Sequence, residues 1–360
     1  MSESIENILA RRLEKSRALC QKIYPPSAAH DENFKVDYGQ RDIRSKYNHY
    51  LLQVFPMELS FIQDSLTFKL PHGRYEQFCT DHTKLYHYTT IHGLKGIIDN
   101  KFIWMNDTKY MNDSSEIIYQ DEIFSSIITK YKRKYSKHIH INMLLNSLEK
   151  SIGKPQDSMP YIACFSHDGD NLSLWRAYGN NGGISIGFDL STKYKFIDNP
   201  DSIFVDMEYR KGIQKKLITS ILDHTIEIID EDIIKSKNLI NDKYIWVRIH
   251  ETITPFILRA MRRMKHPSFK DECETRLVLR KEDLPKGSVK FRIKGNLLTP
   301  YYEKRATINK KIVKWLPIFK VIVGPCPEQE LVQNSIKEFL SSKGYKKVIV
   351  EGSKIPYRQI

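Results

Sequence analysis

The stretch Lys270–Arg280 reads KDECETRLVLR, and it marks where a helical part of the chain gives way to strands. Glu272 and Glu274 stand one residue apart in front of an apolar pair, Leu277 and Val278. Side chains two apart on a strand share a face, so a strand beginning by Glu272 projects both carboxylates together, about 7 Å apart. Like charges that close need a cation or a shared proton. Either Arg276 or a ligand is expected to supply the compensation.

Upstream of this stretch, Leu217, Ile218, Ile221, Leu222, Ile226 and Ile229 repeat at helical spacing. Trp246, Ile249, Ile253, Ile257, Ala260 and Met264 do the same, with Pro255 as an expected kink. Residues 211–266 therefore read as a helical insertion. Downstream, VKFRI, IFKVIVG and KKVIV read as strands, with a helix over Glu328–Ser342 and Gly344 as its cap. Before the insertion, LYHYTT, FIWMND, YIACFS and GGISIGFDL are short, aromatic or β-branched and strand-like. IHGLKGIIDN and LSLWRAYG read as short helices between them. The part from Lys84 onward is thus α+β with mixed strand order, and residues 1–83 form an N-terminal helical extension.

The chain has 360 residues, 41% apolar and 28% charged, which fits a folded globular protein. No apolar run is long enough to span a bilayer. The opening MSESIENILARRLEKSR has no apolar core, so no signal peptide is read and a cytoplasmic location is expected. Cys20, Cys79, Cys164, Cys273 and Cys326 are scattered without a CxxC pair, which fits reduced thiols better than a zinc site or a disulfide framework. His138 and His140 lie in a segment without the acids that a metal site would need.

The net charge is +14. Ile128–Ile141, Arg259–His266 and Tyr301–Trp315 concentrate the bases, the usual footprint of a polyanionic partner such as nucleic acid or an acidic surface. An exposed basic face that only keeps the protein soluble is the plain alternative.

No P-loop, GxGxxG, HExxH, GxSxG or kinase pattern occurs. The remaining candidates are His87, Ser166, Trp175, Tyr178, Glu272 and Glu274. Each has a structural alternative: a hydrogen-bonded strand histidine, core aromatics three apart on a helix, or a Glu274–Arg276 pair.

Taken in order, five blocks resemble a mostly bacterial family catalogued as a domain of unknown function. They are Leu85–Thr89, Phe102–Glu116, Phe165–Phe188, Glu272–Arg276 and Ser353–Arg358. The resemblance covers roughly 84–360, with the N-terminal helices outside it and the 211–266 insertion either inside or outside. That family is in turn similar to the ADP-ribosyltransferase superfamily, in its histidine–tyrosine–glutamate clade. The resemblance implies a split mixed β-sheet and cleavage of NAD at its nicotinamide–ribose bond. It also implies roles for His87, Tyr178, Glu272 and Glu274 in the chemistry. His87, Thr89, Ser166, Trp175, Arg176, Tyr178 and Arg276 would hold NAD.

The chemistry fits those residue types. A fixed carboxylate stabilises the oxocarbenium-like ribose more in the transition state than in the ground state. The second acid would prepare a macromolecular acceptor, nucleic acid or protein, and a toxin or phage-defence role is implied. The alternatives are an idle member of the fold that binds a nucleotide or RNA, and a metal-dependent nuclease.

Overall fold

The computed structural model describes residues 7–12, 14–15, 18, 47, 50–52, 54–60, 84–111, 114–152, 159–179, 182–190, 202–308 and 311–356. Cys20, Cys79, Asn180, Asn181, Tyr357 and Arg358 lie outside the described residues. The chain divides into two compact units: residues 1–77, 115–155 and 208–264 form one, and 78–114, 156–207 and 265–360 the other.

The first unit is helical. It contains α2 (Ser114–Lys134), α3 (Ile139–Ile152), α5 (Lys211–Ile228), α6 (Lys237–Ile240) and α7 (Lys243–Arg262), and helical residues in 7–12 and 50–60. One core holds Ile8, Phe55, Ile128, Leu145, Ile221 and Ile253, so all three sequence segments bury their apolar stripes together. Asp242 caps α7, accepting from the Tyr244 N–H at 3.0 Å, and the helix runs through Pro255 to Arg262. A π-helical turn, Ile229–Ile233, follows α5 and carries the fully buried Asp232. Its carboxylate accepts from Arg12 at 2.7 Å and from the Tyr47 hydroxyl at 3.1 Å. An isolated buried acid would be prohibitively costly; paired and hydrogen-bonded, it is tolerated.

The second unit is a mixed α/β fold around a large open sheet. Its strands are β1 (Lys84–Thr89), β2 (Phe102–Asp107), β3 (Tyr161–Ser166), β4 (Ile184–Asp189), β5 (Ser202–Asp206), β6 (Glu274–Leu279), β7 (Lys290–Lys294), β8 (Leu297–Arg305), β11 (Ile318–Val323) and β12 (Ile349–Gly352). Two short strands, β9 (Thr307–Ile308) and β10 (Lys311–Ile312), pair separately. The order is β12-β11-β4-β1-β3-β2-β8-β7, with β6 on the other edge of β3 and β5 beyond β6. β11 and β12 are parallel; the other pairs are antiparallel.

β1 and β2 share one edge of β3. β1 meets it only at Tyr86 opposite Ser166, and β2 only at Asn106 and Asp107 opposite Ile162 and Tyr161. Between these points the sheet is split. Alternation along the strands sends Leu85, Phe165, Ile186, Leu277 and Val321 to the core side, where Leu94 of α1 (Ile91–Asn100) and Ile336 and Leu340 of α8 (Gln329–Ser342) join them. Tyr86, Cys164, Ser166, Glu274 and Arg276 fall on the other side, by the register of β1, β3 and β6.

Candidate functional site

The approach to β6 is not a strand. Pro267–Glu272 is a 3-10 turn, and Cys273 adopts a left-handed conformation at φ 46°. β6 begins only at Glu274, so the expected strand face shared by Glu272 and Glu274 is not formed. The end of β3 pins this turn in place. The Ser166 hydroxyl donates to the Glu272 carbonyl at 2.7 Å, and the His167 N–H to the Cys273 carbonyl at 3.0 Å.

The two acids nonetheless meet, through a cation that sequence reading misassigned. Lys265, expected on an exposed basic stretch, is buried. Its ammonium donates to Glu274 Oε2 at 2.8 Å and pairs with Glu272. Arg276 grips Glu274 from the next position on the same strand face, Nε to Oε1 at 2.8 Å and Nη2 to Oε2 at 3.0 Å. Two acids and two bases thus balance one another in a largely buried setting. Burial pushes the Glu274 carboxyl up, but Arg276 and Lys265 outweigh it and bring it down to about 2. Burial opposes the Lys265 charge, and Glu274 and Glu272 raise it regardless. The Cys164 thiol, within hydrogen-bonding reach of Glu274, is pushed well up by burial and by that carboxylate.

Tyr178 closes α4 (Leu172–Tyr178) beside this cluster and is 50% exposed. Partial burial of its hydroxyl, with Cys164, Glu274 and Glu272 nearby, raises it to about 12, so it stays a neutral donor and acceptor. Trp175, only 2% exposed, is committed elsewhere. Its indole N–H donates to Asp170 at 2.7 Å, and its ring meets Tyr88 at 4.8 Å. Asn171 caps α4, accepting from the Ser173 and Leu174 N–H groups. Asp170 also accepts from the Ser353 hydroxyl and, at 2.8 Å, from the Lys354 N–H. This latch ties Ser353 and Lys354 to the residue two before α4. Arg176 is exposed on α4.

His87 is not brought into this group. Along β1 it shares a side with Leu85 and Thr89, lies opposite Ile186, and its ring packs 5.6 Å from Phe165. Its Nδ1 sits 2.8 Å from the Cys164 carbonyl and must carry the proton, which leaves Nε2 as the acceptor nitrogen. Burial lowers its basicity, outweighing that carbonyl. The imidazole thus ties β1 to the Cys164 carbonyl of β3, while the Cys164 thiol interacts with Glu274. Thr89 ends the same strand on the His87 side. The structure therefore gathers Tyr178, Glu272, Glu274, Arg276 and Ser166, keeps Trp175 as packing, and sets His87 and Thr89 on the far side.

Lys265 and Cys164 are the members that sequence reading missed. For Cys164 the signal lay in the alternation of YIACFS, which sends it to the Ser166 side. For Lys265 no local signal existed. Among the described residues, no group of three or more His, Cys, Asp and Glu side chains is arranged to hold a metal ion. Nor is any helix there long and apolar enough to cross a membrane.

Residues 174–277 match the model of a family described as a protein of unknown function, DUF2971. The match runs from α4 into β6 and takes in Trp175, Tyr178, the helices of 211–266, Lys265 and the acidic pair; His87 and Ser353 lie outside it. No curated protein and no solved structure matches the chain. None of these comparisons links it to the ADP-ribosyltransferase superfamily, and the family found in the chain is the DUF2971 domain at 174–277.

Proposed function

We propose that the second unit is an NAD-consuming ADP-ribosyltransferase that uses Glu274 to stabilise the ribosyl cation and Glu272 to prepare a macromolecular acceptor. The observation that carries this reading is Glu274 itself, a carboxylate fixed by Arg276 and Lys265 and held ionised at neutral pH beside the half-exposed Tyr178. Cleaving the nicotinamide–ribose bond develops positive charge on the sugar. A negative group already held in place needs no reorganisation to stabilise it. Tyr178 would cover the nicotinamide ring, and His87 would reach a ribose hydroxyl through Nε2 only if the dinucleotide straddles the split between β1 and β3. An enzyme of this kind would suit a toxin or a phage-defence effector, with nucleic acid or protein as acceptor.

One observation favours a second reading, a domain that binds a nucleotide or RNA without chemistry. Both oxygens of Glu274 already accept charged hydrogen bonds, from Arg276 and Lys265. A metal-dependent nuclease has no ligand cluster to start from among the described residues. Incubating the full chain with NAD labelled in its nicotinamide ring separates these readings. Release by the wild type, abolished in Glu274→Gln, supports the transferase. NAD binding without release supports the idle domain, and neither binding nor release removes the transferase reading and leaves RNA or another nucleotide as the ligand of the second.

A further inference from the structure

β7 ends the sheet and pairs only with β8 among the described residues. Its outer backbone N–H and C=O groups face away from the ladder. Exposed edges are commonly blunted with charge, and Lys290, Arg292 and Lys294 supply it here. The alternate positions contradict a purely protective role, because Phe291 is 63% and Ile293 79% exposed. Phe291 lies opposite Pro300 and Ile293 opposite Leu298, so one side of the hairpin is an apolar strip. Lys290, Arg292 and Lys294 lie opposite Tyr301, Thr299 and Leu297 on the other side. Gly295, at φ 57°, begins the two-residue turn that holds this register. No acid occurs between Leu284 and Tyr302, and the next, Glu303, accepts from Lys290 at 2.8 Å. Arg292 donates to Asn106 at 2.7 Å and lies over the Trp104 ring, which fixes its guanidinium on that side of the sheet.

We propose that β7 is a docking strand for an extended, acidic segment of a partner protein, which joins the sheet edge with acids opposite the cations and apolar residues opposite Phe291 and Ile293. The charge pattern selects this occupant. A second copy pairing antiparallel through β7 would set Lys290 against Lys294 and Arg292 against itself, which like-charge pairing disfavours. A bilayer covering the apolar strip would leave the cationic row on the side away from it, and a nucleic acid on the cations would leave Phe291 and Ile293 in water. An added strand satisfies both sides and the backbone at once. This inference is independent of the chemistry proposed for Glu274.

The test uses the full chain and a panel of labelled peptides of about eight residues, alternating Glu or Asp with Val or Ile, read by fluorescence anisotropy. Saturable binding is expected, weakened about tenfold or more in Lys290→Glu/Lys294→Glu by reversal of the cross-strand pairs. Phe291→Ser/Ile293→Ser, which leaves the Lys290–Glu303 pair intact, should weaken it as well. N-methylating the alternate amides that face β7 should abolish it. The proposal is overturned if no peptide of the panel binds, or if both alternate N-methylated sets, one of which must face β7, bind as well as the parents. It is equally overturned if anionic vesicles or single-stranded DNA bind in a charge-dependent way while the peptides do not. Melting is followed for both variants, because Lys290→Glu also sets a carboxylate beside Glu303, and binding is compared below both transitions.

Discussion

The ammonium of Lys265 lies 2.8 Å from Oε2 of Glu274, and both side chains are largely buried. Lys265 also holds Glu272, so one residue just ahead of the 3-10 turn pairs with both acids. Lys265→Met keeps the aliphatic stem and removes the charge. Arg276, bonded to Glu274, is then the remaining cation of the cluster among the described residues. Breaking a buried pair from one side costs roughly 3–5 kcal/mol. A clear loss of thermal stability is expected for Lys265→Met, against a small loss for an exposed control such as Lys286→Met.

The same pair sets an acid limb of stability. The Glu274 carboxyl is lowered in the fold to about 2, because Arg276 and Lys265 outweigh its burial. A depressed acid contributes stability that is present above its ordinary value of 4.5 and is lost as pH falls towards the folded value. Melting temperature followed from pH 5 down to pH 2 should therefore fall, and fall less steeply in Glu274→Gln. Equal slopes in the two proteins would show that other carboxylates govern the limb.

His224 in the helical unit gives the opposite sign. Burial disfavours its charge, but hydrogen bonds to Glu227 and Glu58 prevail and raise it from 6.5 to about 8. Its Nε2 lies 2.8 Å from Glu58. A raised histidine contributes stability that is full below its unfolded value near 6.5 and is lost as pH rises through 8. The span corresponds to something on the order of 2 kcal/mol. Wild-type protein should lose stability between pH 6.5 and 8.5, and His224→Gln should be less stable at pH 6 yet nearly flat across that window.

Much of the sheet was legible, because strands announce themselves by short aromatic and β-branched runs. LYHYTT, FIWMND, YIACFS, GGISIGFDL and ETRLVLR became β1, β2, β3, β4 and β6. SIFVD and LLTPYYEKR, now β5 and β8, were not read as strands. The second is masked by its charges and by Pro300, tolerated here opposite Phe291 near the sheet edge. The pairing of Arg276 with Glu274 was readable from their spacing. The Lys265 bridge was not, since it depends on a 3-10 turn and a left-handed Cys273 that no periodicity encodes. The side of the sheet on which His87 falls depends on register across a split, and register is a long-range property. The packing of 115–155 with the helices of 211–264 is likewise invisible to local pattern.

Trp175 and Tyr178 occupy successive turns of α4 but should respond in opposite ways. Trp175 is buried, bonded to Asp170 and edge-on to Tyr88, so Trp175→Ala should cost about 3–5 kcal/mol of stability. It should also loosen the latch to Ser353. Tyr178→Ala removes a half-exposed ring and should change stability by much less. Under the transferase reading, its effect would appear in NAD turnover. A Tyr178→Ala protein that melts like the wild type and handles NAD identically would remove Tyr178 from the site.

The two acids can be told apart by what each touches. Glu274 is held by Arg276 and Lys265, whereas among the described residues the Glu272 side chain pairs with Lys265 and is the more exposed of the two. Glu274→Gln keeps the shape but removes the charge opposite the developing ribosyl cation. It should suppress both NAD hydrolysis and transfer to an acceptor, by at least about 10²-fold, as expected for loss of a preorganised electrostatic group. Glu272→Gln should suppress transfer while leaving hydrolysis, because water needs no prepared acceptor. A purely structural pair behaves otherwise: Glu274→Gln would lower the melting temperature more than Glu272→Gln, and neither would separate hydrolysis from transfer. Nicotinamide release and acceptor labelling, measured together below the melting transition of both variants, decide between them. Wild-type nicotinamide release by Glu274→Gln would leave the acidic pair as a structural clamp on the start of β6.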